Sequence, residues 1–502
     1  MPSFRHSALS DPHLAHPVSK PAHYNNNPST PSNTQALELQ DVSARVSYRH
    51  ISSYIEARIQ RGDWQAHERL PSVRQLSRDS GMHRLTVFKA YQHLKEQGII
   101  YARSKSGYYV APPAVHALTN ENELEPALFA GTMTELHRLP ARYQFSQALI
   151  DPNLLPNHYF AEYTKKVFDL YPKLLGTYAH VQGDLELRQL LARYFSQHSR
   201  FYIEPEELLI ASGAQQAIFL IAEAWIRPGD YVLVESPTYA TALDVFRQKG
   251  ARFLEIDIDA NGYPIEQIAQ LMRQYRPRLF YLNPTFHNPT GWCIPAEQRK
   301  QLVDLAAQHQ CLLIEDDTCS DIYFGDAPPP PLFAYDTEGY TIHIRSFSKY
   351  ISPGLRIACI AARQPWLQTL ISCKSLTDGG TPLLNQKVFL HYFMSDRLHR
   401  HLDKLRIALC IRLETMQDEL RRTNWHYTEP QGGLNLWVEL PPELSVSRLL
   451  SHALPAGISF VPGSLFDHGK RHSQHIRLSF SFANEMLIQQ GMRELIHIAD
   501  GL

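Results

Sequence analysis

Lys349 stands in the run IRSFSKYISPGLR, just after an apolar stretch, with Ser346, Ser348 and Arg356 around it. A buried amine among hydroxyl and guanidinium donors suits a lysine that condenses with a carbonyl and sits beside a phosphate. Other residues complete that chemistry. Asp316 closes the apolar run CLLIEDD and could keep a ring nitrogen protonated, so that the ring withdraws electrons. Ser212-Gly213-Ala214-Gln215 opens an apolar helix. Backbone N–H groups and the helix dipole at such a start favour an anion. Tyr239, in ESPTYA, could cover one ring face, and Asn288, in HNPTG, could reach a ring hydroxyl. Singly these pieces are ordinary: SGAQ is a common helix start and NPTG a common turn. Their order along the chain is what carries the reading.

The elements that must position them are legible as alternation. Beyond residue 140, helical patterns alternate with apolar strands such as DYVLVE (230–235), RLFYLNP (278–284), CLLIEDD (311–317) and YTIHIRSFSK (340–349). Alternation of this kind predicts a mostly parallel sheet with helices on both faces, with ligands at the carboxyl ends of its strands. From about 370 to 502 long helical patterns and short strands (GLNLWVEL, HIRLSFS) predict a smaller α+β region.

A second chemistry lies upstream. Residues 44–110 hold 12 lysines and arginines against 5 acids, an excess of seven positive charges in a chain whose net charge is −1. A basic module on a near-neutral protein is the footprint of nucleic-acid binding. Tyr48, Ile51, Ile55 and Ile59 recur at helical spacing, with Gly62 ending the helix. A second helix begins after Leu70-Pro71 with Ser72 as N-cap, and Gly81 marks a turn. A third runs from about 84 to 97 and stops at Gly98, before the hairpin IIYARSKSGYYV. This is the layout of a winged helix-turn-helix over 44–112. It places His83, Arg84, Thr86 and Lys89 at the start of the helix that enters a major groove, with Arg84 suited to guanine. Ser72 and Arg74 suit phosphates, and Lys105 and Gly107 lie in the wing.

The remainder narrows the possibilities. Residues 1–42 are rich in Pro, Asn, Ser and His without period and are expected to be a disordered tail. Residues 113–140 read as a polar linker. No apolar run is long enough to span a membrane, and no secretory leader is expected. Six scattered cysteines without a CxxC pair predict reduced thiols, no metal site and a cytoplasmic setting.

The string LPSVRQLSRDSGMHRLTVFKAYQHLKEQGIIYARSKSGYYV closely resembles the GntR-type winged helix. The succession GAQ, PTY, NPTG, EDD, SxSK and PGLR, with PGSLF and IRLSF behind it, resembles fold-type I aminotransferases over 141–502. The two together resemble the MocR family of bacterial regulators. The resemblance implies an α/β body of the PLP-dependent transferase fold behind the DNA-binding head, with pyridoxal 5′-phosphate (PLP) as cofactor on Lys349 as a Schiff base. It implies that Arg477 binds a ligand carboxylate. It further implies that Tyr178, in a loop with Gly183, reaches the phosphate across a homodimer interface, and that DNA and an amino compound or PLP itself are the partners. One departure stands out. A tyrosine is usual two or three residues after the Asp, where this chain has Thr318 and Cys319. Neither replaces a phenol, and helical spacing would point Tyr323 elsewhere. That weakens the expectation of efficient transamination and favours a transcription regulator; a functioning aminotransferase with an accessory head is the alternative.

Overall fold

Apolar residues at helical spacing, Ile51 and Ile55, face inward from α1 (Tyr48–Gln60). They meet Leu76 of α2 (Val73–Ser80) and Val87, Ala90, Tyr91 and Leu94 of α3 (Arg84–Glu96). The hairpin β1 (Ile100–Arg103) and β2 (Gly107–Val110) closes this core with Ile100 and Val110. Its antiparallel register pairs Ile100 with Val110 and Arg103 with Gly107. Ser72 caps α2: its hydroxyl accepts from the Gln75 N–H at 3.1 Å. Gly81 ends α2 in the left-handed conformation (φ 68°), open to a residue without Cβ. The Tyr91 hydroxyl donates to the Pro71 carbonyl at 2.6 Å and ties α3 to the entry of α2.

The computed structural model describes residues 48–111, apart from 62, 66, 97, 98, 104 and 105, and residues 141–502. The expected tail, the linker, Gly62, Gly98 and Lys105 lie outside the described residues. The chain divides into two compact units that part within 112–140.

In the body, β3 (Tyr143–Gln144) leads to a seven-stranded sheet. Its strands are β4 (Leu208–Ala211), β5 (Tyr231–Ser236), β6 (Arg252–Asp257), β7 (Leu279–Leu282), β8 (Leu312–Asp317), β9 (Thr341–Ser346) and β10 (Ala358–Ala361). The spatial order is β4-β10-β9-β8-β7-β5-β6. Only β10 runs antiparallel to its neighbours. Strands such as β4, β7 and β8 are buried at every position, as expected of a sheet covered on both faces. One face packs on the helices Ala214–Trp225, Ala240–Gln248 and Trp366–Thr377, the other on Ile265–Tyr275 and Ala296–His309. Strands β11 (His426–Tyr427), β12 (Asn435–Glu439), β14 (Val461–Pro462) and β15 (His475–Ser479) form a second, antiparallel sheet. β13 (Ile458–Ser459) pairs in parallel with β3. That pairing joins the start of the body to its carboxyl-terminal part. All six cysteines are free, no described helix is long and apolar enough to cross a membrane, and no metal-binding cluster occurs among the described residues.

Candidate cofactor site and nucleic-acid interface

The period-two geometry of β8 sorts three consecutive acids. Glu315 and Asp317 point to one side, opposite His343 and Arg345 of β9 in the strand register. There Glu315 bonds His343 at 2.9 Å and Asp317 bonds Arg345 at 2.6 Å. Asp316 points to the other side, into a cavity of about 220 Å³ at the carboxyl ends of the parallel strands. Ser346 ends β9, and the turn after it brings Ser348 and Lys349 to the same cavity. Lys349 Nζ donates to the Ala148 carbonyl at 2.8 Å. Burial pushes its pKa down. Of the remaining cofactor residues expected from the sequence, Ala214, Gln215, Tyr239, Asn288 and Arg356 also line the cavity.

Gly213, with φ 90°, precedes the helix Ala214–Trp225. A Cβ there would collide with the guanidinium of Arg356, which donates to the Ser212 carbonyl at 3.1 Å. The glycine therefore lets Arg356 lie across a helix N-terminus, so that a cation and free backbone N–H groups converge. A dianionic phosphate fits that cradle. A pyridine ring fits the adjoining acid, and an aldehyde fits the buried amine, so the residues present match PLP.

Asp316 accepts from two hydroxyls, one on Thr318 and one on Tyr281, a residue not expected at the site from sequence. Tyr281 of β7 donates to its Oδ2 at 2.7 Å, and Thr318 donates to its Oδ1 at 3.1 Å. Burial nonetheless pushes the Asp316 pKa up to about 6, and these two donors oppose the rise. Thr318 is thus committed to the carboxylate. Cys319 lines the cavity as a thiol, its pKa pushed up to about 12 by burial. Tyr323 lines no part of the cofactor cavity, but for another reason than helical spacing: the segment after β8 is a turn rather than a helix, Tyr323 bridges Gly432, and Arg406 stacks on its ring with Cζ 3.9 Å from the centroid. The signal for Tyr281 was a lone hydroxyl inside the apolar run RLFYLNP.

Arg477 is 2% exposed and has no carboxylate within ion-pair distance among the described residues. It donates to Asn288 Oδ1 at 3.1 Å and to the Ser146 carbonyl, while its Nε has no partner. Burial pulls its pKa down to about 10. A guanidinium only donates, so it fixes the Asn288 oxygen toward itself and leaves the Asn288 NH₂ for an acceptor. Asn435, also missed from sequence, lines the cavity and approaches the same oxygen at 3.5 Å. Tyr178 is fully exposed and lines no part of this cavity.

In the head, His83, Arg84 and Lys89 are exposed around the start of α3, with Thr86 partly covered. Ser72 and Arg74 are exposed at the start of α2. Gly107 takes φ 123°, and a Cβ there would press on the Arg69 side chain at 3.4 Å.

Residues 168–494 match the model of aminotransferase class I and II, and residues 47–110 match that of bacterial regulatory proteins of the gntR family. The chain is 33% identical to a 2-aminoadipate transaminase of Thermus thermophilus over 74% of its own length and 94% of the relative's. It is 30% identical to the HTH-type transcriptional regulator YisV of Bacillus subtilis, over 89% of this chain and 94% of that one. Among solved structures it resembles the α-aminoadipate aminotransferase LysN of Thermus thermophilus, complexed with N-(5′-phosphopyridoxyl)-L-leucine. The TM-score is 0.69 at 32% identity, over 74% of this chain and 95% of that one. PLP is accordingly the cofactor of the body. The chain belongs to the aminotransferase class I and II family, in its MocR branch of DNA-binding transcription regulators that join a gntR-type head to a PLP body.

Proposed function

We propose that the protein regulates transcription by changing its grip on DNA when an amine bearing a carboxylate enters the Lys349 cavity. The observation that carries this reading is Arg477, a buried guanidinium without a carboxylate partner among the described residues, bonded to cavity-lining Asn288. A buried cation of this kind costs free energy until an anion reaches it. The Thermus relatives, named for an amino-acid substrate and complexed with a leucine adduct, support the same ligand class.

When bound, PLP supplies an aldehyde and an electron-withdrawing ring. Lys349 would hold it covalently, and desolvation keeps that amine easier to deprotonate than an exposed lysine. Asp316, steadied by Tyr281 and Thr318, would keep the ring nitrogen protonated, and Tyr239 would pack against the ring. The Asn288 NH₂ would donate to the ring oxygen. Ser346, Ser348, Arg356 and the N–H groups at Gly213, Ala214 and Gln215 would hold the phosphate. Tyr178, too exposed to serve its own cavity, completes the partner's site in a homodimer. Arg84, His83, Thr86 and Lys89 meet base edges, Ser72 and Arg74 meet phosphates, and Lys105 and Gly107 approach from the wing. The cell compartment is the cytoplasm, where DNA and PLP meet. A ligand shifts DNA binding only through unequal affinity for two states of the protein.

The test is binding of the full chain, loaded with PLP, to its own upstream DNA at fixed salt. Amino acids should change the affinity, whereas amines lacking a carboxylate should not, and Arg477→Leu should erase the distinction. Equal effects from both ligand classes would overturn the reading. A second reading, a working aminotransferase, is favoured by the near-complete residue set around Lys349. Steady turnover of an amino donor with a keto acid would establish it; Cys319 and the committed Thr318 argue for weak turnover.

A further inference from the structure

The face of α3 opposite its core residues carries two large apolar side chains in solvent: Leu85, 57% exposed, and Phe88, 43% exposed. They are three residues apart, hence neighbours on one helix face. Arg84 and Lys89 flank them, and no acid occurs in the first turn of the helix. The surrounding head has an excess of seven positive charges. Singly exposed apolar residues need no explanation. An adjacent pair bracketed by cations, at the end of a helix that the proposed function places in a major groove, does. The charge around the pair selects a polyanion as its occupant. Neither side chain can hydrogen-bond, so neither can read donors or acceptors on base edges. The major-groove edges of the four bases carry one apolar group, the thymine 5-methyl.

We propose that Leu85 and Phe88 read thymine methyl groups, so that each operator half-site carries thymines beside the base read by Arg84. The inference rests on the reading that α3 enters the major groove. Leu85, in the first turn next to Arg84, serves a base pair adjacent to that residue's contact. Phe88, one turn on, serves the next. The recognition helix thereby combines one hydrogen-bonding contact with apolar ones, which favours guanine followed or preceded by thymine.

The test begins by selecting preferred duplexes from a random pool with the full-length protein. Each thymine of the selected site is then replaced by deoxyuridine, which removes only the methyl group, and affinities are measured at one salt concentration. At one or two positions per half-site the wild type should lose about fourfold in affinity, the worth of one buried methyl. Leu85→Ala or Phe88→Ala should bind the thymine and uracil forms of its own position equally. Both residues are exposed, so neither variant threatens the fold, and the deoxyuridine series needs no variant. Selection of a defined site with no uracil penalty anywhere would overturn this proposal and leave the regulator reading intact. Failure to select any site would overturn both. If Leu85→Ala keeps the methyl discrimination but loses self-association, the face belongs to a second copy of the chain and the proposal falls.

Discussion

Arg84 and Lys89 stand in solvent on a head whose core is built from short apolar elements, whereas Asp316 is buried at the carboxyl edge of the seven-stranded sheet and Arg477 is buried on β15 of the second sheet. The head's charges are hydrated whether or not DNA is present. Its fold loses little if one is removed, and its binding energy is open to salt. The body's charges are held out of water before any ligand arrives. Arg477 lacks a counter-charge among the described residues, and Asp316 has its pKa raised by burial. A site that works by covalent capture and carboxylate recognition needs this low-dielectric setting, and the surrounding framework must carry its cost. In the head, function and stability are separable; in the body they oppose each other.

The largest expected effect lies in the body. Lys349→Ala should abolish the visible absorption of the lysine-bound cofactor, because among the described residues no second lysine lines the cavity. The same variant should still bind DNA, since the head folds around its own core. A retained absorption band would remove Lys349 from the cofactor reading.

Asp316→Asn tests the opposition directly. The Asp316 pKa is raised from 3.8 to about 6 in the fold. Below the unfolded value the carboxyl is neutral in both states and costs nothing. As pH rises through the window from about 4 to 6, the unfolded chain ionises first, and the native state loses stability relative to it. Above that window the penalty is complete, of order 3 kcal/mol for a shift of about two units. Cofactor-free Asp316→Asn should therefore melt higher than the wild type at pH 8 and like it at pH 3.5, while binding PLP less tightly. A lower melting temperature at pH 8 would show that the Tyr281 and Thr318 bonds outweigh desolvation.

Much of this was legible in the sequence because it depends on local order. The alternation of apolar strands and helices gave the parallel sheet, and the strand-end positions of Asp316 and Lys349 gave the cavity's edge. What escaped depends on contacts between segments distant in sequence. Tyr281 reaches Asp316 only because β7 and β8 are neighbours in register, with Tyr281 opposite Ile314. Asn435 reaches the cavity from the second sheet, 147 residues from Asn288. Periodicity assigns such residues a face but not a partner. The consequence of Thr318 was half visible: its inability to replace a phenol followed from its type, its bond to Asp316 only from the fold.

In the head, Arg84→Ala should lower affinity for the cognate site by roughly 10- to 100-fold and relax the choice of base at one position. The head's melting temperature should move little, since exposed changes lie within about 0.5 kcal/mol. An equal loss on every sequence would make Arg84 a phosphate contact and shift the salt slope by about one.

The smallest effect tests the separation most sharply, because Ser72 serves both sides of it. Its hydroxyl caps α2 by accepting from Gln75 N–H, and the same exposed position faces the phosphates in the proposed complex. Ser72→Ala should cost the head about 1 kcal/mol through the lost cap and weaken DNA binding as well, which leaves the two roles entangled. Ser72→Asp disentangles them. Aspartate caps a helix as well as serine does and favours the positive end of the helix dipole, so the head should melt at or above the wild-type temperature. Its negative charge would sit against the DNA backbone, so affinity should fall, and fall more at low salt than at high salt. If Ser72→Asp binds DNA like the wild type, the start of α2 does not approach a phosphate. If it both destabilises the head and weakens binding, stability and recognition rise and fall together there, the reverse of the opposition in the body.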